Sequence, residues 1–369
     1  IRSAAGEIVG VEERGRTMIE LSDEGLAAVQ LEEKPGFERW IQREPVGVVF
    51  VIAPWNYPYL TAVNVILPAI LAGNTVILKH SAQTPLCAER FDQAFKAAGL
   101  PEGVFQYLHL GHSDTENIIG DPRVDFVAFT GSVPGGEMVE KAAAGRFIGV
   151  GLELGGKDPA YVRPDVDLDH AVESSMDGAF FNSGQSCCGI ERLYVHEHIY
   201  EEFVARAVTW ARALKLGRSD DPETTLGPLV RSSAADFVRG QIREAIDQGA
   251  VAQIDAAEFP LDEPGSPYLA PQVLTGVNHQ MRVMTEESFG PVIGIQKVGS
   301  DEEAIGLMND SEFGLTAAIF TRDIEKGIEI MSYTIQQRRK GKDYQWTEPY
   351  TFFAEREIAG MKDIEIEFR

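Results

Sequence analysis

Positions 46–53 read Val-Gly-Val-Val-Phe-Val-Ile-Ala, an uncharged run rich in β-branched residues. Such a run predicts a strand covered on both faces, as in a parallel sheet. The same signal returns at 75–78, 104–108 and 126–129, each time after a stretch with helical spacing. Strands alternating with helices predict right-handed βαβ units and a doubly wound α/β sheet. Ahead of them, Val9, Met18, Ile19 and Leu26 fall at loosely helical spacing, and 27–45 holds short alternating runs around Lys34-Pro35-Gly36, a predicted hairpin turn. Beyond Glu153 a second α/β set begins. It has a strand at 192–195 and a helix at 200–214 whose apolar face is Phe203, Ala207, Trp210 and Leu214. Residues 259–271, rich in Pro and Gly, predict a loop. From about Met331 the character changes to a polar run at 336–340 and an alternating run at 364–368, to which no element is assigned.

A chain of 369 residues can bury a large core and divides into two or three domains on length alone. The formal net charge of -24 argues against binding a phosphate backbone, which needs a basic surface. Three cysteines, two of them adjacent, make a poor disulfide framework and point to reduced thiols in a cytoplasmic setting. The most apolar long stretch, 59–78, is broken by Asn64, Pro68 and Asn74. It predicts a buried helix and a buried strand, not a membrane span, and no signal peptide is visible.

Candidate chemistry centres on Cys187, at the end of Asn182-Ser183-Gly184-Gln185-Ser186-Cys187, and on Glu153, which opens Glu153-Leu154-Gly155-Gly156-Lys157. A thiol held in a Gly- and Asn-containing turn is a candidate nucleophile, and a carboxylate beside paired glycines a candidate base for water. Asn56, in Pro54-Trp55-Asn56-Tyr57-Pro58 past the end of the first strand, has an amide able to hold an oxyanion with the Cys187 backbone N–H. Lys79 ends the next strand, where a cation suits a phosphate or ribose hydroxyl. Thr130-Gly131-Ser132 opens a Gly-containing strand-to-helix turn suited to phosphate, ahead of a helix at 137–144. Each has a plainer alternative. Most free cysteines are small buried hydrophobes, which suits Cys188 better than Cys187. Glu153 could cap a helix or pair with a base, Asn56 could satisfy its own loop, and Lys79 could be a solvated strand end.

Together these motifs resemble the aldehyde dehydrogenase superfamily. The matching segments are Pro54-Trp55-Asn56, Lys79, Phe129-Thr130-Gly131-Ser132, the Glu153 and Cys187 motifs, and Glu287-Ser288-Phe289-Gly290-Pro291, in that order over residues 1–330. The resemblance implies that Cys187 attacks an aldehyde carbon, that Asn56 and the Cys187 N–H hold the oxyanion, and that Glu153 activates the water that hydrolyses the thioester. It implies NAD or NADP as cofactor. Lys79 would contact the adenosine ribose, with Ser81 and Ala82 beside it, Gly131 and Ser132 would meet the pyrophosphate, and Trp55 and Gly155 would line the cleft. Glu287 would hold the nicotinamide ribose, with Phe289 against the nicotinamide. Tyr57, Leu60, Thr61, Asn64, Phe181, Ser186 and Cys188 would line the substrate pocket. The implied fold is a Rossmann-type cofactor domain (1–26 and 46–154), an oligomerisation hairpin (27–45), a catalytic domain (155–330) and an atypical tail (331–369). The implied partners are a small-molecule aldehyde and further copies of the chain in a homo-oligomer, a dimer or tetramer.

Departures from the family pattern sharpen these expectations. Many NAD-preferring members place Glu three residues after the lysine, where this chain has Ala82. Losing that carboxylate removes repulsion toward a 2′-phosphate and admits NADP. Val65 and Ile66 stand where a basic residue is common before the Pro68 equivalent, Phe181 stands where semialdehyde-specific members often carry arginine, and no Lys or Arg lies in 57–69, so an uncharged aldehyde is expected over succinate semialdehyde. Relative to the family, a long leading segment and the pattern beyond about Ile330 are missing. The alternative expectation is therefore an impaired or inactive dinucleotide-binding relative. A CoA-acylating relative is a third, disfavoured because such members usually lack the Glu153 equivalent.

Overall fold

A computed structural model describes residues 4–335. Two parallel-rich sheets organise it. Two short strands, β1 (Val29–Gln30) and β2 (Trp40–Ile41), form an antiparallel hairpin outside both. The predicted turn is present, with the Phe37 N–H bonded to the Lys34 carbonyl at 3.0 Å. Val29, Leu31, Phe37, Trp40 and Ile41 of this hairpin are exposed.

The first large sheet holds β3 (Val48–Ala53), β4 (Thr75–His80), β5 (Phe105–Tyr107), β6 (Phe126–Thr130) and β7 (Gly149–Glu153), in the order β5-β4-β3-β6-β7. All its pairings are parallel. The first four strands are the predicted ones. β3 starts two residues later than the apolar run because the Asn74 side chain takes the Val46 and Gly47 N–H groups, at 2.7 and 3.0 Å. β7 escaped prediction because Gly149-Val150-Gly151-Leu152-Glu153 is Gly-rich and only half-buried. The chain enters at β3, winds out to β5, and returns to the other side of β3 with β6. That reversal leaves a crevice at the carboxyl ends of β3 and β6, the place where open α/β sheets bind ligands.

Four residues after β7 the chain enters the second sheet, built from β8 (Asp158–Val162), β9 (Ile190–His196), β10 (Val251–Ala252), β11 (Gln272–Thr275), β12 (Val292–Val298) and β13 (Ala318–Phe320). Their order is β10-β11-β12-β9-β8-β13, antiparallel only at β10. The predicted helix is found at Tyr200–Arg212, with Phe203 and Ala207 fully buried against this sheet. Burying a Phe side chain contributes about 2 kcal/mol of hydrophobic stabilisation. The helix at Ile324–Ile335 runs through Met331, and the remaining tail expectations lie outside the described residues.

The first helix, Ala4–Leu26, buries only Gly15 and lies against the helix Leu60–Leu71. Small residues allow the approach: side chains added at Gly10 and Gly15 would stand 3.0 and 3.1 Å from Leu60 and Leu67 methyl groups. Glu7 Oε1 accepts the Tyr59 and Leu60 N–H groups at 2.8 and 3.0 Å, which satisfies two orphan donors at the second helix's N-terminus. That cap fixes the start of the helix directly after the Asn56 loop. No helix among the described residues is long and apolar enough to cross a membrane.

Candidate functional site

Asn182, Ser183 and Gly184 have φ values of 51°, 58° and 73°, three successive left-handed residues. For non-Gly residues that conformation is costly, and such strain gathers at functional sites. Gly184 is required twice over, by its positive φ and by the Gly290 backbone, against which any side chain would collide. The turn is held by its own amides. Gln185 Nε2 donates to the Asn182 carbonyl at 3.1 Å, and Gln185 Oε1 accepts the Val230 N–H at 2.8 Å. Cys187 emerges half-buried from this turn, with a backbone N–H that makes no hydrogen bond among the described residues.

Asn56 meets the turn directly. Its Nδ2 donates to the Gln185 carbonyl at 3.1 Å, and Asn182 Nδ2 donates back to the Asn56 carbonyl at 3.2 Å. The loop after β3 and the cysteine turn, 126 residues apart for that second bond, are thus tied together. Asn56 satisfies the neighbouring loop, not its own, and one of its amide hydrogens is so engaged. The Glu153 motif runs past the same place, since a side chain on Gly156 would stand 2.6 Å from the Cys187 carbonyl oxygen. Glu153 itself ends β7, exposed, and its carboxylate forms no hydrogen bond or ion pair among the described residues. It neither caps a helix nor neutralises a base.

Interaction with the Cys188 thiol and burial push the Cys187 thiol up, while the same interaction pulls Cys188 down to about 6. Two thiols sharing one proton release the first below the usual thiol range and hold the second above it. The expectation that Cys188 is the more buried of the two is reversed: it is exposed, and its sulfur lies 3.4 Å from Ser186 Oγ. The turn leaves residue 188 at the surface and brings the Cys187 carbonyl against Gly156. Asp158 lies beneath the pair, almost fully buried, accepting a hydrogen bond from the Thr316 hydroxyl. Burial raises it to about 7.

The candidate cofactor residues divide. Trp55 and Phe289 pack edge to face, with ring centroids 5.8 Å apart. Glu287 accepts the Gly156 N–H at 3.0 Å and is raised to about 7, first by burial and then by the Glu191 charge. Gly155 admits this carboxylate, which would collide with any side chain there. Lys79 is half-buried with no hydrogen-bond or ion-pair partner among the described residues, and burial lowers its pKa. A part-desolvated cation without a counter-charge is suited to a bound anion or hydroxyl. Gly131 and Ser132 stand at the β6 side of the crevice. The helix there begins at Val133, earlier than predicted, and Ser132 Oγ caps it by accepting the Gly135 N–H at 3.4 Å. The Pro-Gly-Gly stretch is thus the helix's first turn, because Pro suits that position and Ser the cap. Ser81 Oγ accepts the Gln83 N–H at 3.2 Å, and Ala82 is exposed.

His80, beside Lys79, points inward. Burial lowers its pKa and keeps the ring neutral, so Nε2–H donates to the Pro58 carbonyl at 2.9 Å and Nδ1 accepts the Thr84 hydroxyl at 3.1 Å. Of the candidate pocket residues, Tyr57 is pushed up to about 12 by burial, and Leu60 is half-buried. The Thr61 hydroxyl is spent on the Tyr57 carbonyl at 2.7 Å, Asn64 accepts from Arg14 Nη1 at 3.0 Å, and Phe181 is exposed. Arg14, Asp158 and Glu191 have no counterpart among the sequence expectations, and Asn182 and Gln185 figure there only as members of the cysteine motif. Each acts through a partner far along the chain, and only the recurring Asn and Gln of the cysteine turn offered a local hint.

Known proteins resemble this chain in sequence and in fold. A family model described as Aldehyde dehydrogenase family matches residues 1–341. The chain is 39% identical over 288 residues to 2-hydroxymuconic semialdehyde dehydrogenase of Pseudomonas putida, covering 77% of this chain and 59% of that protein. It is 37% identical over 303 residues to succinate-semialdehyde dehydrogenase (NADP(+)) 1 of Mycobacterium tuberculosis, covering 82% of this chain and 65% of that protein. The chain therefore spans about three fifths of the length of these relatives. Among solved structures, succinic semialdehyde dehydrogenase from Streptococcus pyogenes with NADP+ superposes with TM-score 0.84 at 30% identity, over 90% of this chain and 72% of that one. An NAD+ complex of aldehyde dehydrogenase from Bacillus cereus gives TM-score 0.84 at 31% identity, over 90% and 67%. By sequence match and by fold, the chain belongs to the aldehyde dehydrogenase family.

Proposed function

We propose that this chain oxidises an aldehyde to a carboxylic acid with NAD(P)+ through a thioester on Cys187. The observation that carries the reading is the cross-tie of the Asn56 loop to the strained cysteine turn at the mouth of the β3/β6 crevice, with the unpaired Glu153 carboxylate on the neighbouring strand end.

The Cys187 sulfur adds to the aldehyde carbon as its proton passes to the Cys188 thiolate, the more readily ionised of the two thiols. The oxygen that becomes negative is met by the free Cys187 N–H and the remaining Asn56 amide hydrogen; preorganised donors of this kind are worth about 3 kcal/mol each in the transition state. NAD(P)+, when bound, supplies the hydride acceptor. Lys79, Glu287 and the Trp55–Phe289 pair are the residues that fit it, as cation, ribose hydroxyl acceptor and apolar wall. Glu153, free of partners, takes a proton from water as the water attacks the thioester, and the acid leaves with the Cys187 sulfur restored. Ala82 leaves room for a 2′-phosphate, so both cofactors remain in this proposal. A carbon-bound hydride and water's oxygen account for all atoms of the products.

The substrate has a second reading. The chain from 57 to 69 contains no Lys or Arg, which favours an uncharged aldehyde. The first helix nevertheless brings Arg14 onto Asn64, and its charge is one of those that lower Cys188. The relatives named for semialdehydes fit a substrate whose distal carboxylate meets that guanidinium. The domain division at 154/155, the exposed hairpin 27–45 as an oligomer contact, and a cytoplasmic setting for the free thiols belong to the same proposal.

Aldehyde-dependent formation of NAD(P)H with a panel of neutral and carboxylated aldehydes tests it. Activity that disappears in Cys187→Ala supports the reading. Dinucleotide binding without turnover of any aldehyde would instead favour a non-catalytic relative.

A further inference from the structure

Phe289 has φ of 53°, a left-handed conformation that a bulky aromatic residue adopts only when its surroundings impose it. What imposes it is a single buried side chain. Glu191, on β9, accepts the Ser288 N–H through Oε2 and the Phe289 N–H through Oε1, both at 2.8 Å. Its Oε2 also faces Lys157 Nζ at 2.7 Å, and Lys157 donates in turn to Ser288 Oγ at 3.0 Å. The two charged side chains are 0% (Lys157) and 6% (Glu191) exposed. Lys157 closes the Glu153 motif, so the network joins that motif, β9 just beyond Cys187, and the loop bearing Glu287 and Phe289.

We propose that Glu191, backed by Lys157, is a positioning residue that sets the nicotinamide end of the cofactor cleft. By holding two consecutive N–H groups it fixes Phe289 in its strained conformation, with the ring against Trp55, and presents Glu287 to Gly155 and Gly156. A carboxylate can accept both N–H groups and the ammonium at once. An amide cannot, because its NH₂ end faces donors, so one backbone N–H would lose its partner and the strain its restraint. Glu191 touches neither substrate nor cofactor in this account. Its effect is confined to the end of the cleft where the dinucleotide's second ribose sits, far in sequence from Lys79, which serves the adenosine end. The proposal rests on the cofactor placement given above.

The test compares Glu191→Gln with the unaltered protein by equilibrium binding of NAD+ and NADP+, of adenosine monophosphate as an adenosine-end probe, and by the KM and kcat of aldehyde oxidation. The expected result is at least tenfold weaker dinucleotide binding and a raised cofactor KM. Adenosine monophosphate affinity and aldehyde KM should stay nearly constant. Unchanged dinucleotide affinity, or equal weakening of both probes, overturns it. If burying an unpaired Lys157 prevents folding, the double variant Glu191→Gln with Lys157→Met removes both charges, and the same selective loss is expected of it. An unaltered protein that binds dinucleotide but turns over no aldehyde contradicts the proposed reaction alone, while the binding comparison still judges Glu191.

Discussion

Cys187 and Cys188 are neighbouring thiols that bear on each other's titration, and in the proposed reaction Cys187 is the one that acts, beside its own free backbone N–H and the loop that Asn56 ties to its turn. Motif chemistry singled out Cys187, Asn56 and Glu153, and the structure ties the Asn56 loop to the cysteine turn and sets Glu153 at the end of β7. Motif chemistry did not tell Cys188 from a buried hydrophobe, since the direction of a side chain after three left-handed residues is not written in the alternation of polar and apolar positions. Ser132 shows the same limit: a hydroxyl at a strand-to-helix turn is equally a phosphate contact and a cap, and in the structure it caps. Ala82 is exposed at the turn beyond Lys79, so a carboxylate placed there displaces no packing and, on the proposed cofactor placement, faces the ribose. Ala82→Glu is expected to raise the ratio of kcat/KM for NAD+ over NADP+ by about tenfold or more, the size of one charge repulsion or charged hydrogen bond. A ratio unmoved in steady-state kinetics would place the adenosine ribose elsewhere.

Helices and strands that carry the site were read well where they are apolar runs, and poorly where glycine or a distant cap defines them. β3, β4, β5 and β6 announce themselves, whereas β7, which positions Glu153, alternates glycine with half-buried residues and gives no run. The first helix was legible as a helix, but not its task. Glu7 caps the helix Leu60–Leu71, and Arg14 reaches Asn64 on it, contacts between residues about fifty positions apart. A short window of sequence contains no trace of such pairing. If Arg14 receives a distal carboxylate, Arg14→Gln lowers kcat/KM for an aldehyde bearing one by about fivefold, as expected for an exposed charge pair of ~1 kcal/mol. The neutral aldehyde of equal length keeps its value. Equal effects on both substrates in parallel kinetic runs would assign Arg14 to helix packing alone.

The molecule as a whole is strongly acidic, and two of its carboxyl groups, at the start of β8 and in the loop before β12, are raised by burial. Asp158 and Glu287 are both raised to about 7, in each case first by burial. Each keeps a proton in the folded protein across a range where the unfolded chain has lost it. Stability from these groups therefore falls as pH rises from about 4 toward about 7, and the loss is complete above that. Asp158→Asn, which preserves the contact with Thr316 without a titrating proton, is expected to flatten that part of the decline and to gain stability relative to the native chain at pH 8 compared with pH 5. Melting temperatures of both proteins across that interval measure it; parallel curves would show that Asp158 ionises normally. The doubly wound class was legible from the rhythm of strands and helices. The crevice at the β3/β6 reversal was not, because strand order depends on which connections cross back, and the runs themselves are alike.

The central claim is that Glu153 activates the water that frees the product from Cys187. Rapid mixing of Glu153→Gln with saturating aldehyde and NAD(P)+, following absorbance of the reduced cofactor, tests it most directly. The account predicts a burst approaching one equivalent of NAD(P)H per site, then a steady rate reduced by about a hundredfold or more, the usual contribution of a general base. A burst and a steady rate that fall by the same factor would contradict it, since Glu153 would then serve a step before the thioester forms.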